Sequence, residues 1–318
     1  MQKSKIAAIS DPHLSMQKPL CRTDDLREVQ FEKLDHLYQR ADAEGCLAVI
    51  LAGDIVDTAC SWALMPAVAK FFSRYVDHIT TLVVFGQHDT YMYDEDGRQK
   101  TILGSLAEAG LVRVLGVKPL TIELGGVKWH IYGASFGQPV PEVVDDEALN
   151  MLAIHASICD ESLWEGQDYL DASRFLKDHP EFDVIFAGDI HKPFVIEDNG
   201  RYIANSGPMT RRSLSEADFV PQFFIYDLQE LSLVGHPLPH QPSSDIISDK
   251  HRQQAQLNEQ IVERMVSMRQ QSEVGQVLFK DVLRKVIRIN RNKITSGASK
   301  MIAETTGFID LEANNDNR

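Results

Sequence analysis

Short apolar runs that end in polar, mostly glycine-containing turns are the feature that most restricts how this chain folds. In chain order they read KIAAIS, LAVILAG, TTLVVFG, VKWHIYG, NMLAIH, FDVIFAG and PQFFIYDL. Runs of four to eight residues rich in Val, Ile and Phe are typical of buried strands. Helical patterns over 24–43 and 61–75 separate several of them. Strands that alternate with helices predict a layered α/β fold, in which ligands gather beyond the carboxyl ends of the strands.

Five of these runs are followed, or ended, by residues of the kinds that bind metals. They are Asp11-Pro12-His13, Gly53-Asp54-Ile55-Val56-Asp57, Gly86-Gln87-His88-Asp89, His155 and Gly188-Asp189-Ile190-His191. In an extended segment residues i and i+2 point to the same side, so Asp11 with His13, and Asp189 with His191, can each bind one metal cluster. Carboxylates and neutral imidazoles suit manganese, iron or zinc, and magnesium is less favoured where histidines are numerous.

The order D-x-H, GDxxD, GQHD, H and GDxH resembles the calcineurin-like metallophosphoesterase superfamily, which usually shows D-x-H, GDxxD, GNHD, H and GHxH. Within it, the chain resembles the SbcD family of DNA-repair nucleases. DIVD resembles that family's GDxxD segment, GDIHKPF its GHIHKPQ, and YIANSGPMTRRSLSE its glycine-serine turn with basic residues and a glutamate. The resemblance covers residues 1 to about 230. It implies a layered αββα metallophosphoesterase sandwich, here with a short helical C-terminal tail.

The resemblance also implies two divalent cations, which we expect to be manganese, with magnesium, iron or zinc as alternatives. One metal would be bound by Asp11, His13 and His191, the other by Gln87, His155 and Asp189, and both by Asp54. A hydroxide between the metals would attack phosphorus in an in-line displacement.

Three further residues receive roles from the same resemblance. His88 would be the acid near the leaving oxygen, and Asp89 would orient and charge-stabilise it. Asp57 would support a ligand rather than bind metal itself.

Two positions depart from the usual pattern of the superfamily. Gln87 replaces Asn, so an amide oxygen is still present but its reach is longer by one methylene. Asp189 replaces His, and the added negative charge favours harder cations such as manganese or magnesium. We expect these changes to tune metal choice or to weaken activity.

Other polar residues have weaker claims to a functional role. His130 follows Trp129 within a strand pattern and is expected to be structural. Arg211 and Arg212 are as compatible with contacts to a substrate phosphate as with a solvated turn.

The chain is expected to contain a catalytic domain over 1–240, a helical tail over 241–305 and a disordered terminus over 306–318. The run HPLPHQPSS marks the boundary. Beyond it, apolar residues recur at helical spacing, and Lys280, Arg284, Arg288 and Arg291 share one face. By resemblance this tail would dock on an SMC-like ATPase of the SbcC type, although it is too short to contain a DNA-facing cap as well. Its basic face is compatible with a DNA or partner contact or with a solvated surface, and a homodimer would also follow from the family.

Composition narrows the class of protein. No apolar run approaches the roughly 18 residues of a membrane helix, and the N-terminus does not match a secretory signal. The four scattered cysteines fit reduced thiols of a cytoplasmic protein. The net charge of −14 argues against an overall basic nucleic-acid-binding surface.

Three functions therefore remain open. The leading hypothesis is an SbcD-like DNA exo- or endonuclease. A stand-alone phosphodiesterase or phosphatase for small molecules is the first alternative, because residues 1–242 carry 20 Lys and Arg against 36 Asp and Glu. An impaired subunit that scaffolds an ATPase is the second, prompted by Gln87 and Asp189.

Overall fold

The computed structural model describes residues 3–91, 95–144, 147–162, 167–214, 216–248 and 250. The chain divides into two units, Met1–Asp249 and Lys250–Arg318, and the strands and helices of the described residues belong to the first. The predicted tail helices beyond residue 250 and the predicted disordered terminus lie outside the described residues.

Strands dominate the described part of the chain. They are β1 (Lys5–Ile9), β2 (Cys46–Ala52), β3 (Thr80–Val84), β4 (Arg113–Val114), β5 (Leu120–Leu124), β6 (Val127–Ala134), β7 (Leu149–His155), β8 (Ile158–Cys159), β9 (Leu170–Asp171), β10 (Val184–Gly188), β11 (Phe194–Asp198), β12 (Arg201–Asn205), β13 (Gln222–Asp227) and β14 (Ser232–Pro237). The α-helices are α1 (Leu26–Ala43), α2 (Met65–Tyr75), α3 (Ile102–Glu108), α4 (Ala172–Asp178) and α5 (Ser243–Ile246).

Two six-stranded sheets form the centre of the fold. The first has the order β14-β13-β1-β2-β3-β4, and the second has the order β11-β12-β10-β7-β6-β5. Strands β1 to β4 run parallel in the first sheet, and β6, β7, β10 and β12 run parallel in the second. Because their carboxyl ends meet at one edge of each sheet, the residues that follow them are brought together.

Three apolar clusters define the layers. One packs α1, α2 and α3 on the outer face of the first sheet, with Tyr38 and Phe71 among its largest side chains. The second lies between the sheets and includes Ile50 and Trp129. The third packs α4 on the outer face of the second sheet. The order helix, sheet, sheet, helix is the predicted αββα sandwich.

Helix α1 shows how the sequence sets these layers. The carboxylate of Asp25 accepts hydrogen bonds from the N–H groups of Arg27 and Glu28, which caps the helix start. Its buried side chains recur every three or four residues and include Leu34, Leu37 and, unusually, Lys33. Helix α1 therefore packs its buried stripe of side chains against the sheet, and that stripe contains the charged side chain of Lys33.

The predicted fold class is confirmed, and all seven apolar runs contain strands of the two sheets. The predicted helices are present as α1 and α2, each beginning two to four residues later than the pattern suggested. The edge strands β4, β5, β11 and β14, the internal strand β12 and the short strands β8 and β9 were not predicted. Among the described residues, no helix combines the length and the apolar character needed to cross a bilayer.

Candidate metal centre

The carboxyl ends of five parallel strands supply the candidate site. Strands β1, β2 and β3 are followed by Asp11, Asp54 and Gln87, which lie on the first sheet. Strand β7 ends in His155, and β10 is followed by Asp189, on the second sheet. The predicted site residues therefore converge where the edges of the two sheets meet.

The backbone at this edge adopts conformations that are rare for residues other than glycine. Asp11, His13, Asp54 and Asp189 have φ values of 50°, 46°, 48° and 98°. Non-glycine residues with positive φ cost about 1–3 kcal/mol each and cluster at functional sites, where the surrounding structure enforces them. All four residues are predicted metal ligands, and their strained backbone accompanies the convergence of their side chains.

Glycines allow the strand ends to approach this closely. A Cβ on Gly53, whose φ is +87°, would lie 2.1 Å from Nδ1 of His155. A Cβ on Gly86 would lie 2.1 Å from Oδ1 of Asp54. The glycines of the GDxxD and GQHD motifs are therefore required by the contact between the loops.

The first cluster contains the three residues predicted to share one metal. The Nε2 atoms of His13 and His191 lie 2.9 Å apart. Nε2 of His13 is also 4.0 Å from Oδ1 of Asp11 and 3.7 Å from Oδ2 of Asp54. The donor atoms of Asp11, His13 and His191 all lie within 4.8 Å of one another, close enough to bind a single ion.

The second cluster contains the residues predicted to bind the other metal. Nε2 of His155 lies 2.8 Å from Oε1 of Gln87, 3.6 Å from Oδ2 of Asp54 and 4.0 Å from Oδ1 of Asp189. The amide of Gln87 donates to Oδ1 of Asp189 at 2.6 Å. The hydroxyl of Ser157 donates to the second carboxylate oxygen of Asp189. Asp54 therefore approaches both clusters, as a bridging ligand must.

The outer nitrogens of two histidines are held by neighbours. Nδ1 of His155 lies 2.7 Å from the carbonyl of Ala52 and donates to it. Nδ1 of His191 lies 3.0 Å from Oε1 of Glu216 and donates to that carboxylate. In the neutral form of each imidazole, both contacts fix the tautomer that leaves Nε2 without a proton and able to bind a metal.

Glu216 and Ser157 received no role in the sequence prediction. Glu216 ends the SLSE run, and its carboxylate also accepts the N–H groups of Arg212 and Ser213. The signal for Glu216 was therefore present in the segment that resembles the SbcD family. Ser157 stands two residues after His155, and no pattern in the sequence distinguishes it.

His88 lies at the open side of the site. Its Nδ1 is 3.0 Å from the carbonyl of Asp57, its Nε2 is 4.0 Å from Oδ2 of Asp54, and 42% of its side chain is exposed. The carboxylate of Asp57 pairs with the guanidinium of Arg212 at 2.6 Å and lies 3.7 Å from Nδ1 of His13. Asp57 thus lies beside a predicted ligand, and its carboxylate also lies close enough to His13 and His88 for the three to hold an ion, so its supporting role stays a prediction.

Asp89 differs from the expectation. We predicted that it orients His88, but its carboxylate accepts the N–H groups of Ile55, Val56 and Gly86 at 3.0–3.1 Å and is fully buried. The carbonyl of Asp57 holds the imidazole instead. The three amides draw the carboxylate inward, so Asp89 ties the loop after β2 to the loop after β3, and burial raises its pKa to about 7.

The structure also shows the surroundings of Arg211, Arg212 and His130. Arg211 is buried and donates to the carbonyl of Ala217 at 3.0 Å, so it does not lie in a solvated turn, and its contact with a substrate phosphate stays a prediction. Arg212 pairs with Asp57 at the site itself. His130 is buried in β6, as expected of a structural histidine.

The donor set fits divalent cations. Burial raises the pKa of Asp11 to about 6, because a carboxylate enclosed without a cation is poorly stabilised. Burial lowers the pKa of His13 to about 3, which keeps this imidazole neutral, the form that binds metals. Two Nε2 atoms that face each other at 2.9 Å need a shared proton or cation between them. A metal would satisfy the imidazoles and the carboxylates together.

Burial disfavours the protonated form of His155 and so lowers its pKa. The hydrogen bond with Asp54 and the charges of the nearby carboxylates have the larger effect, and they raise the pKa of His155 to about 10. The raised pKa favours the protonated form of His155 at neutral pH. A cation bound at Nε2 would displace that proton, so metal binding should release protons.

Comparison with known proteins identifies the family. Residues 4–193 match the family described as calcineurin-like phosphoesterase. No curated protein sequence matches the chain. Solved structures that resemble it include a protein of Thermus thermophilus, with a TM-score of 0.46 and 14% identity, and an archaeal phosphodiesterase, with a TM-score of 0.39 and 13% identity. Each similarity covers 74% of this chain and 99% of the other.

The family match extends over more than half of the chain and includes all five strand-end motifs. The chain belongs to the calcineurin-like phosphoesterase family. It is a metal-dependent phosphoesterase, and the strand-end His and Asp clusters are where the metals of such an enzyme would bind.

Proposed function

We propose that this chain is an SbcD-like nuclease that hydrolyses DNA phosphodiesters. The observation that carries the proposal is the place of Glu216. The segment 202–216, on which the SbcD resemblance partly rests, reaches the candidate metal centre through the contact between Glu216 and His191. A feature of the subfamily motif thereby has a physical role at the site.

The residues around the centre have separable roles in such a reaction. Two divalent cations, when bound, supply Lewis acidity and lower the pKa of a water molecule. Asp11, His13 and His191 would hold one of them, Gln87, His155 and Asp189 the other, and Asp54 both.

His88 is placed to act as the acid. Its Nδ1–H donates to the carbonyl of Asp57, which fixes the ring and leaves Nε2 toward the site. Its side chain is partly exposed, so Nε2 of the imidazolium form, which carries a proton on each nitrogen, can reach the leaving oxygen of a substrate that enters from solvent and give it that proton.

A small-molecule phosphodiester remains the second candidate substrate. The excess of 36 acidic over 20 basic residues in 1–242 favours it, since DNA binding normally gains from a cationic surface. The hypothesis of an impaired scaffold subunit is less favoured, because both altered residues keep an oxygen close to the predicted ligand His155. Oε1 of Gln87 lies 2.8 Å from Nε2 of His155, and Oδ1 of Asp189 lies 4.0 Å from it.

Several finer expectations belong to this proposal alone. They are an SbcC-type ATPase as partner, manganese as the native metal, a homodimer and a cytoplasmic location. Manganese is expected from the kinds of residue at the centre, Asp189 among them, and the other three come from the family resemblance alone. The tail predicted to dock on the ATPase lies beyond the described residues.

The test uses the full-length chain with added Mn²⁺ on linear double- and single-stranded DNA, and beside it bis(p-nitrophenyl) phosphate. His88→Ala removes the acid, and His78→Ala is the matched control because His78 is exposed and belongs to none of the motifs. We expect DNA degradation that a chelator abolishes, that His88→Ala lowers by about 10²–10⁴-fold, and that His78→Ala leaves unchanged.

The outcomes separate the candidates. Turnover of the small phosphodiester without any cleavage of DNA would replace the nuclease with the small-molecule enzyme. No metal-dependent turnover of either substrate would favour the scaffold.

A further inference from the structure

A second cavity lies beside α1, outside the candidate metal centre. It has a volume of about 230 Å³ and shares no lining residue with the two metal clusters. Its wall contains three cationic side chains, those of Arg22, Lys33 and Arg211, two acidic ones, those of Asp24 and Glu32, and an apolar part that includes Val29 and Ile246. None of these residues has a role in the reaction proposed above.

Lys33 is the unusual member of this wall. Only 4% of it is exposed, and its ammonium group donates to the carbonyl of Met209 at 3.0 Å. No carboxylate among the described residues lies within ion-pair distance of this ammonium. Glu32 also lines the cavity, but it is exposed and forms no ion pair with Lys33.

The neighbouring charges increase the positive potential at Lys33. Arg22 is buried, binds Asp24 through two contacts of 2.9 and 2.5 Å, and donates to the carbonyl of Arg211 at 2.6 Å. Arg211 is buried too and donates to the carbonyls of Ala217 and Gln241. Asp24 is bound to Arg22, and its attraction for Lys33 is smaller than the repulsion from Arg211 and Arg22.

A buried ammonium without a carboxylate partner costs several kcal/mol, which an apolar residue of similar shape would avoid. The cost is visible in the pKa of Lys33, which burial, with Arg211 and Arg22, lowers from 10.5 to about 7. A cavity beside such a group offers room for the missing counter-charge. An anion there would accept the remaining N–H donors of the ammonium.

We propose that the cavity beside α1 binds a phosphate dianion, with Lys33 as its principal charged ligand and Arg22 and Arg211 beside it. The ligand chemistry is a phosphate group, either inorganic phosphate or the terminal phosphate of a nucleotide, whose carbon-bearing part would lie on Val29 and Ile246. Two arginines and a lysine suit phosphate better than a carboxylate, because phosphate offers more acceptor oxygens and a second charge.

The binding site has a structural link to the loop that carries Arg212 and Glu216. Lys33 and Arg22 donate to the carbonyls of Met209 and Arg211, just before Arg212. A phosphate that orders these two side chains would therefore stabilise the loop. This inference does not depend on the nuclease proposal, since the cavity and the metal centre are separate.

The experiment is calorimetric titration of the full-length chain with inorganic phosphate, with thymidine 5′-monophosphate, and with thymidine as the ligand without phosphate. A chelator is present throughout, so that phosphate cannot bind metals. Lys33→Met removes the charge while keeping the length of the side chain, and Lys118→Met, an exposed lysine, is the matched control.

We expect both phosphate compounds to bind the wild-type chain and the Lys118→Met variant, thymidine not to bind, and Lys33→Met to weaken binding at least tenfold. Tighter binding of the nucleotide than of inorganic phosphate would identify an ester as the ligand, and equal binding would identify the phosphate group alone. Absence of phosphate binding, or binding that Lys33→Met leaves unchanged, would overturn the proposal.

A second measurement does not depend on the variant's folding. In the wild-type chain with chelator, phosphate should shift the amide NMR signals of Lys33 and Met209 and leave those of His155 and Asp189 in place. Shifts confined to the residues of the metal centre would also overturn the proposal.

Discussion

Replacing Glu216 by Gln tests how the histidine ligands are held. The carboxylate accepts three hydrogen bonds, from Nδ1 of His191 at 3.0 Å, from the N–H of Ser213 at 3.0 Å and from the N–H of Arg212. Only 8% of Glu216 is exposed, so water cannot easily replace these contacts. A glutamine of nearly the same shape can accept on one side only, because its other end is an NH₂ donor.

The side-chain amide of the Glu216→Gln variant can take two orientations, which differ in free energy. If the NH₂ group faced the loop, the two partly buried N–H donors of Arg212 and Ser213 would lose their acceptor, at up to about 1–3 kcal/mol each. The favoured orientation therefore turns the oxygen to the loop and the NH₂ group to His191. Nδ1 of His191 must then accept, which places the proton on Nε2, the nitrogen that faces His13. That tautomer cannot bind a metal.

We expect Glu216→Gln to weaken Mn²⁺ binding by about 10–100-fold, or about 1.4–2.7 kcal/mol. Calorimetric titration with Mn²⁺ measures the affinity, and hydrolysis of bis(p-nitrophenyl) phosphate over a range of Mn²⁺ concentrations should show partial rescue at high metal. Glu197→Gln, on the exposed face of β11, is the matched control. Affinity and turnover that stay within twofold of the wild type would refute this account of the histidine tautomers.

Three shorter predictions follow from other contacts. Gly53→Ala should reduce hydrolysis more than 100-fold and lower the metal content measured by mass spectrometry, because its Cβ would lie 2.1 Å from Nδ1 of His155. Since the pKa of Lys33 falls from 10.5 to about 7 on folding, the unfolded chain binds more protons between these values, and the free energy of unfolding should rise with pH from 7 to 10. Lys33→Met should flatten that rise and stabilise the chain at pH 6 by up to about 5 kcal/mol in phosphate-free urea titrations. Tyr38→Phe should lower the free energy of unfolding by about 1–2 kcal/mol in the same assay, since it leaves the buried hydroxyl of Thr81 without its 2.7 Å partner.

The sequence was sufficient to predict the strands that build the site. Buried parallel strands read as continuous apolar runs, so β1, β2, β3, β7 and β10 were visible, and so were the polar residues after them. Strands β5, β11 and β14 lie at sheet edges, are partly exposed and gave no comparable run. The internal strand β12 was also missed, because its sequence RYIAN is not a continuous apolar run. The layered fold followed from the central strands alone.

The sequence predicted which residues of the candidate site converge better than it predicted the hydrogen bonds among them. Asp11, His13, Asp54, His155 and His191 converge as expected, and whether they bind metals stays a prediction. The position of Asp89 could not be predicted, because the amides that hold its carboxylate come from loops after two different strands. The same is true of Glu216, whose contact with His191 spans 25 residues. Such contacts depend on packing in three dimensions, which the motif spacing does not contain.

Metal content measured together with activity tests the central claim most directly. The full-length chain, stripped with chelator and titrated with Mn²⁺, should bind two ions and release protons, and hydrolysis of a phosphodiester should appear only with the metal. Asp54→Asn, which alters the carboxylate that approaches both clusters, should weaken binding of both ions. Hydrolysis that persists in the stripped protein, or full binding of two ions by Asp54→Asn, would contradict a metal centre at these strand ends.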